Sequence, residues 1–161
     1  MLVGEQPGDQ EDIAGEPFVG PAGTLLREAL EEAGLNPAEV YLTNAVKHFK
    51  WQPRGKRRIH EKPNREEVLA CRMWLDEEIE HVRPAMIVAL GATAANTLLG
   101  SAAKVTRDRG KFFESTLAPL VSITVHPSSI LRAPDSAARR QARADFVKDL
   151  KAFARKLGRN L

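Results

Sequence analysis

Residues 85–93 read Ala-Met-Ile-Val-Ala-Leu-Gly-Ala-Thr, and this stretch decides the fold. The apolar run 85–90 is too short for a buried helix and too continuous for a strand with one wet face. It reads as a strand covered on both sides. Gly91 follows at once and leads into a helical run that closes near Gly100. A buried strand feeding a helix through a tight turn is half of a parallel βαβ unit.

The same pattern extends in both directions. Residues 1–4 read as the tail of a buried strand, 40–46 (VYLTNAV) as a second strand, and 121–125 as the last. Helical spacing of apolar residues marks 22–33, closed by Gly34. Asn64 caps a helix with Glu66 and Glu67 in its first turn that runs to about His81, and a terminal helix spans 136–157. Between strand 40–46 and Asn64 lies a long polar loop, 47–63. The expectation is one α/β domain over 1–161, a three-layer α/β/α arrangement around a short, mainly parallel four-stranded sheet. Strand 1–4 starts abruptly, so the reading also expects a domain that lacks an N-terminal segment.

Composition sets the outer limits. The chain of 161 residues has 43% hydrophobic and 28% charged residues, ordinary values for a water-soluble domain with one core. No stretch approaches a membrane span, no signal peptide is visible, and the single cysteine, Cys71, excludes an internal disulfide. A cytoplasmic protein with no obligate partner, a monomer, is expected. The net charge of +3 is small, so local placement of cations matters more than the total. Lys47, Lys50, Arg54, Lys56, Arg57, Arg58 and Lys62 crowd one segment with Glu61 as its only acid, and Arg132, Arg139, Arg140 and Arg143 form a second group.

In a parallel sheet, ligands sit beyond the C-terminal ends of the strands. Strand 1–4 leads into Glu5-Gln6-Pro7-Gly8-Asp9, strand 40–46 carries Asn44 into the basic loop ending at His60, and strand 121–125 leads into His126-Pro127-Ser128-Ser129. Cations alone suggest phosphate; carboxylates and two loop histidines beside them suggest chemistry on a molecule that carries phosphate. Each residue also has a plainer use. Glu5, Asp9 and Asp12 are ordinary turn formers, Phe18 is a usual core plug, and His126 is an ordinary hydrogen bonder. Asn44 at the end of an apolar strand needs partners, and its amide has one donor group and one acceptor suited to a pyrimidine edge.

Gly4 to Asp12 (GEQPGDQED), Pro17-Phe18-Val19-Gly20-Pro21-Ala22-Gly23, Thr43-Asn44-Ala45-Val46-Lys47 and His126-Pro127-Ser128-Ser129 together resemble the uracil-DNA glycosylase superfamily, nearest its iron–sulfur branch. Gln6 and the pentapeptide Lys56-Arg57-Arg58-Ile59-His60 resemble the UdgX-type subgroup, whose members crosslink to uracil-containing DNA. The likeness covers nearly the whole chain. It implies excision of uracil from DNA, single strands preferred, with Phe18 stacking on the base, Asn44 reading its edge and His126 donating to the uracil oxygen that gains charge. It implies that His60 attacks the sugar and stays bonded to it, with Glu5 orienting the ring or taking its proton. Gln6, Asp9 and Asp12 support the pocket, and Lys56, Arg57, Arg58, Ser128, Ser129 and Arg132 hold the DNA.

The branch holds a [4Fe–4S] cluster through a Cys-x-x-Cys pair ahead of the first strand and two later ligands. Cys71 matches the last ligand and His48 the third, whereas the pair is missing here, so the cluster is in question. Two other readings stay open at this stage: a conventional glycosylase that releases uracil and turns over, and a non-catalytic DNA-binding module built on the same basic rim.

Overall fold

A computed structural model describes residues 1–158; the last three residues of the expected 1–161 domain lie outside the described part. In chain order the elements are β1 (Leu2–Gly4), α1 (Asp9–Ala14), α2 (Pro21–Glu32), β2 (Leu42–Asn44), β3 (Trp51–Arg54), β4 (Arg57–His60) and α3 (Arg65–Val82). They continue with β5 (Met86–Leu90), α4 (Ala92–Leu99), α5 (Val105–Asp108), β6 (Phe112–Phe113), β7 (Leu120–Thr124), α6 (Pro127–Leu131) and α7 (Ser136–Lys156).

The main sheet has the order β2-β1-β5-β7-β6, parallel except for the last pair. It is mainly parallel as expected, with five strands rather than four. The extra one, β6, is a two-residue antiparallel edge strand, too short to leave a periodic signal. Alternation along β5 shows why the layers form. Met86, Val88 and Leu90 join a core cluster with Leu26, Leu30, Phe146 and Leu150 of α2 and α7. Ile87 and Ala89 face the other way, into Leu75 and Ile79 of α3 and Ala94 and Leu98 of α4. Helices thus cover both faces, and Met86–Leu90 is buried on both sides, while Ala85 ahead of it is exposed.

Three segments differ from the sequence reading. Strand 40–46 shrinks to Leu42–Asn44. The glycine- and proline-rich turn after β1 contains a helical turn and a half, α1, which buries none of its residues and so lacks an amphipathic pattern. The polar loop 47–63 is for the most part an antiparallel hairpin, β3–β4, pairing Trp51 with His60 and Arg54 with Arg57 across the Gly55-Lys56 turn. All but one of its strand residues are exposed, so hydrophobic burial does not hold it.

Candidate active site

The C-terminal rim of the sheet surrounds a cleft of about 830 Å³, lined by Glu5, Gln6, Phe18, Asn44, His60, Thr93, His126, Ser128, Ser129 and Arg132 among others. Its floor is Gly4. A β-carbon there would collide with the Asn44 side-chain oxygen and lie 2.8 Å from Phe18 Cζ and 3.4 Å from His126 Nε2. Three side chains from three separate loops therefore converge on one backbone position that only glycine can occupy.

Phe18 is 4% exposed and its ring stacks on His126, centroids 5.9 Å apart. Its φ of 56° lies in the left-handed region, uncommon for a bulky side chain and costing on the order of 1 kcal/mol. The surroundings over-determine this conformation: Arg27 donates to the Phe18 carbonyl at 2.6 Å, and Gly23 leaves the only room for that carbonyl beside α2. Glu11 joins the two loops, accepting from Gly20 N–H at 2.8 Å and Gly8 N–H at 3.2 Å.

Asn44 is 6% exposed, and its side-chain amide has no hydrogen-bond partner among the described residues. A nearly buried amide facing an open cleft is poised for an external donor–acceptor edge. Its backbone is fixed from behind: Lys47 Nζ donates to the Asn44 carbonyl at 2.8 Å while paired with Glu78 at 2.7 Å, and Thr43 donates to the same carboxylate.

His126 caps α6. Its Nδ1 accepts from Ser128 N–H at 3.1 Å, which leaves the ring proton on Nε2, the nitrogen nearest Gly4. Ser129 Oγ donates to the His126 carbonyl at 2.7 Å. Gly91, at φ 92°, lets the start of α4 approach His126, since a β-carbon there would lie 3.1 Å from the His126 Cβ. Burial pushes the His126 imidazole down to about 4, against a pull upward from Glu5 and with Arg132 and His60 adding to the depression. The ring is a neutral hydrogen-bond donor at ordinary pH.

The hairpin brings His60 over the cleft mouth. His60 Nε2 lies 3.2 Å from Glu5 Oε1, and the other Glu5 oxygen accepts from the Thr93 hydroxyl. The carboxylate is thus held between α4 and the hairpin with its charge directed at the imidazole, and Phe49 packs near the ring at 6.4 Å. Thr93 lies on the rim at the start of the helix following β5, where sequence reading placed it without giving it a role.

Gln6 locks the hairpin in place. Its Nε2 donates to the carbonyls of Lys50 (3.2 Å) and Glu61 (3.0 Å), and its Oε1 accepts from Lys50 N–H (3.1 Å). Both stems of β3–β4 therefore hang on one buried amide. Replacing Gln6 with alanine leaves those stem groups without their shared partner and is expected to destabilise the protein by about 1–3 kcal/mol. Urea unfolding reads that loss, and faster trypsin cleavage at the hairpin tip shows that the stems have loosened.

Arg58 straps the hairpin to the rest of the domain. Its guanidinium pairs with Asp9 at 2.5 Å and Asp12 at 2.6 Å and lies over the Phe49 and Trp51 rings. Asp9 and Asp12 thereby anchor α1 to β4, and neither lines the cleft. Lys56 and Arg57 do point to solvent, and Arg57 stands directly opposite Arg54. Like charges facing across a ladder repel, and an anion between them would relieve this. Ser128, Ser129 and the exposed Arg132 line the opposite wall.

Cys71 is buried on α3, and its Sγ accepts from Lys47 N–H at 3.4 Å, one residue before the exposed His48. The two expected cluster ligands are therefore neighbours. Among the described residues no three His, Cys, Asp or Glu side chains gather into a metal-binding group. One thiol engaged by an amide and one exposed imidazole do not make a four-ligand site, so these residues alone do not fit a [4Fe–4S] cluster. No described helix is long and apolar enough to cross a membrane.

Comparison with known proteins agrees with this geometry. Residues 1–151 match the model of the uracil DNA glycosylase superfamily. A type-4 uracil-DNA glycosylase of Pyrobaculum aerophilum is 41% identical over 160 residues, covering 95% of this chain and 75% of that protein. Similar enzymes, also named type-4 uracil-DNA glycosylases, come from Thermotoga maritima (40% over 159 residues, 98% and 79% covered) and Saccharolobus solfataricus (35% over 164 residues, 97% and 72% covered).

Proposed function

The chain belongs to the uracil DNA glycosylase superfamily, and from that premise we propose that it excises uracil from DNA and remains bonded to the sugar through His60. The observation that carries the second half is the Glu5–His60 contact of 3.2 Å at the mouth of the base cleft. A glycosylase that uses only water has no evident need for an imidazole held there by a dedicated hairpin, a glutamine clamp and an arginine strap.

The base enters over Gly4, which gives it room, and stacks against Phe18. Asn44 reads its edge with the free amide. As the bond between the sugar C1′ and uracil N1 breaks, its electron pair passes to the base. His126 Nε2–H donates to the uracil oxygen on which that charge gathers, a fixed donor worth about 3–4 kcal/mol in comparable sites. The sugar left behind resembles an oxocarbenium ion. The Glu5 carboxylate stabilises it, and a lone pair of the neutral His60 ring forms the new bond to C1′. The imidazole sheds its N–H proton towards Glu5, and uracil takes up one proton, so the products are the His60–DNA adduct and neutral uracil. Arg58 and Gln6 hold the hairpin in register so that the ring is already placed when the bond breaks.

The substrate is uracil-containing DNA, single strands preferred, because an unpaired nucleotide reaches the cleft without the cost of leaving a duplex stack. Lys56, Arg57, Ser128, Ser129 and Arg132 on the two walls hold the strand, and a monomer suffices for all of these contacts. Cys71 and His48 would supply two of the four ligands that a [4Fe–4S] cluster needs.

The relatives, type-4 uracil-DNA glycosylases, favour a second reading, a glycosylase that releases uracil and turns over. Incubation with a single-stranded uracil oligonucleotide, resolved on a denaturing gel beside a thymine control, separates the two. A uracil-dependent band of protein–DNA mass that survives boiling is the expected outcome. Free abasic strand with no such band would establish turnover instead.

A further inference from the structure

A second cleft, of about 530 Å³, opens between the N-terminal half of α3 and the side of α4. Thr93 lines both this cleft and the base cleft, so the two meet at the residue whose hydroxyl holds Glu5. Lys62 and Arg65 stand on one wall, and Asn96 and Ser101 on the other. Leu69 is part of the lining and is 59% exposed.

Charge makes this cleft unlike the rest of the α3 surface. Of the neighbouring acids, Glu67 pairs with Lys50 at 3.0 Å and caps Asn64, Glu61 also faces Lys50, and Glu66, exposed beside Arg65, does not line the cleft. Arg72, at the far end, is paired with Asp76. Lys62 and Arg65 are exposed and have no ion pair among the described residues. Two free cations, polar groups opposite them and an apolar side chain together match a nucleotide's phosphates, sugar and base face.

We propose that this cleft binds the DNA strand flanking the target nucleotide, on one side of it only. The inference rests on the glycosylase reading, because the strand reaches the cleft by passing the Glu5–His60 site. It assigns Lys62 and Arg65 to two phosphates beyond those held by the hairpin tip.

The test compares wild type with the Lys62→Gln/Arg65→Gln double variant; both positions are exposed and outside the reacting groups. First, binding to a uracil-free single strand is followed by fluorescence anisotropy across a salt series. Loss of two phosphate contacts should lower the slope of log K against log salt by about 1.4. Second, initial uracil release under protein excess is measured on strands trimmed one nucleotide at a time from either end. Wild type should slow about tenfold when one flank is removed. The double variant should already be that slow on the full strand and should ignore trimming on that side, while still responding to trimming on the other. An unchanged salt slope, or a variant that responds to both trimmings as wild type does, would overturn the proposal. Failure of the glycosylase reading would look different: wild type would release no uracil from any strand, while the salt slope would still report on the cleft.

Discussion

Replacing His60 with alanine is expected to remove every DNA adduct that survives denaturation, down to the background seen with a thymine strand. The cleft offers few substitutes for this nucleophile. Thr93 is committed to Glu5, the Ser128 and Ser129 groups are engaged with His126, and Cys71 does not line the cleft. The same change leaves the Gly4 floor, Asn44 and His126 untouched, because the His60 side chain is 51% exposed at the mouth. Uracil release should therefore continue, with water entering the vacated space to complete it. Loss of adduct together with continued release separates a covalent role from a merely structural one. An adduct of undiminished yield would remove His60 from the reaction.

Replacing His126 with alanine should slow uracil release about 10²- to 10³-fold, the usual loss when one fixed donor to a developing anion is removed. The loss should fall on the chemical step under protein excess, with strand binding little altered. The same residue ties stability to pH. Its folded-state pKa, about 4, lies below the ordinary value of 6.5, so the unfolded chain takes up the proton first on acidification. The stabilising contribution of neutral His126 is complete above about pH 6.5 and is lost as pH falls towards 4. Denaturation midpoints of wild type should fall more steeply across that window than those of His126→Gln. Parallel curves would mean that the imidazole is not held neutral by its surroundings.

The fold was legible where burial imposes a pattern. Residues 85–90, the Asn64 cap and the terminal helix are local signals, and each element formed within a few residues of its expected place. The hairpin escaped because it is a two-stranded, solvent-exposed element with a proline at position 53 and cations on both strands, which leaves no apolar alternation to read. Helix α1 escaped for a related reason, being short and without a buried face.

The site was legible in its members more than in their duties. Glu5, Asn44, Phe18, His126 and His60 line one cleft, and each was singled out from its own motif. The roles of Gln6, Asp9, Asp12 and Arg58 depend on pairings about 44 to 55 residues apart in sequence, and no local pattern announces them. Arg58 illustrates the difficulty: within a run of cations it looks like one more phosphate ligand, and only the folded chain places two aspartates against it. Thr93 illustrates the reverse, a small residue in an apolar helix that turns out to hold one oxygen of Glu5.

The central claim is that an imidazole of this chain becomes the sugar's new partner. Its most direct test is protease digestion of the boiled adduct, nuclease trimming of the DNA, and mass spectrometry of the remaining peptide. One modified peptide from the hairpin is expected, with the residual abasic sugar phosphate on His60. The same mass on any other residue, or uracil release with no modified peptide at all, would contradict it.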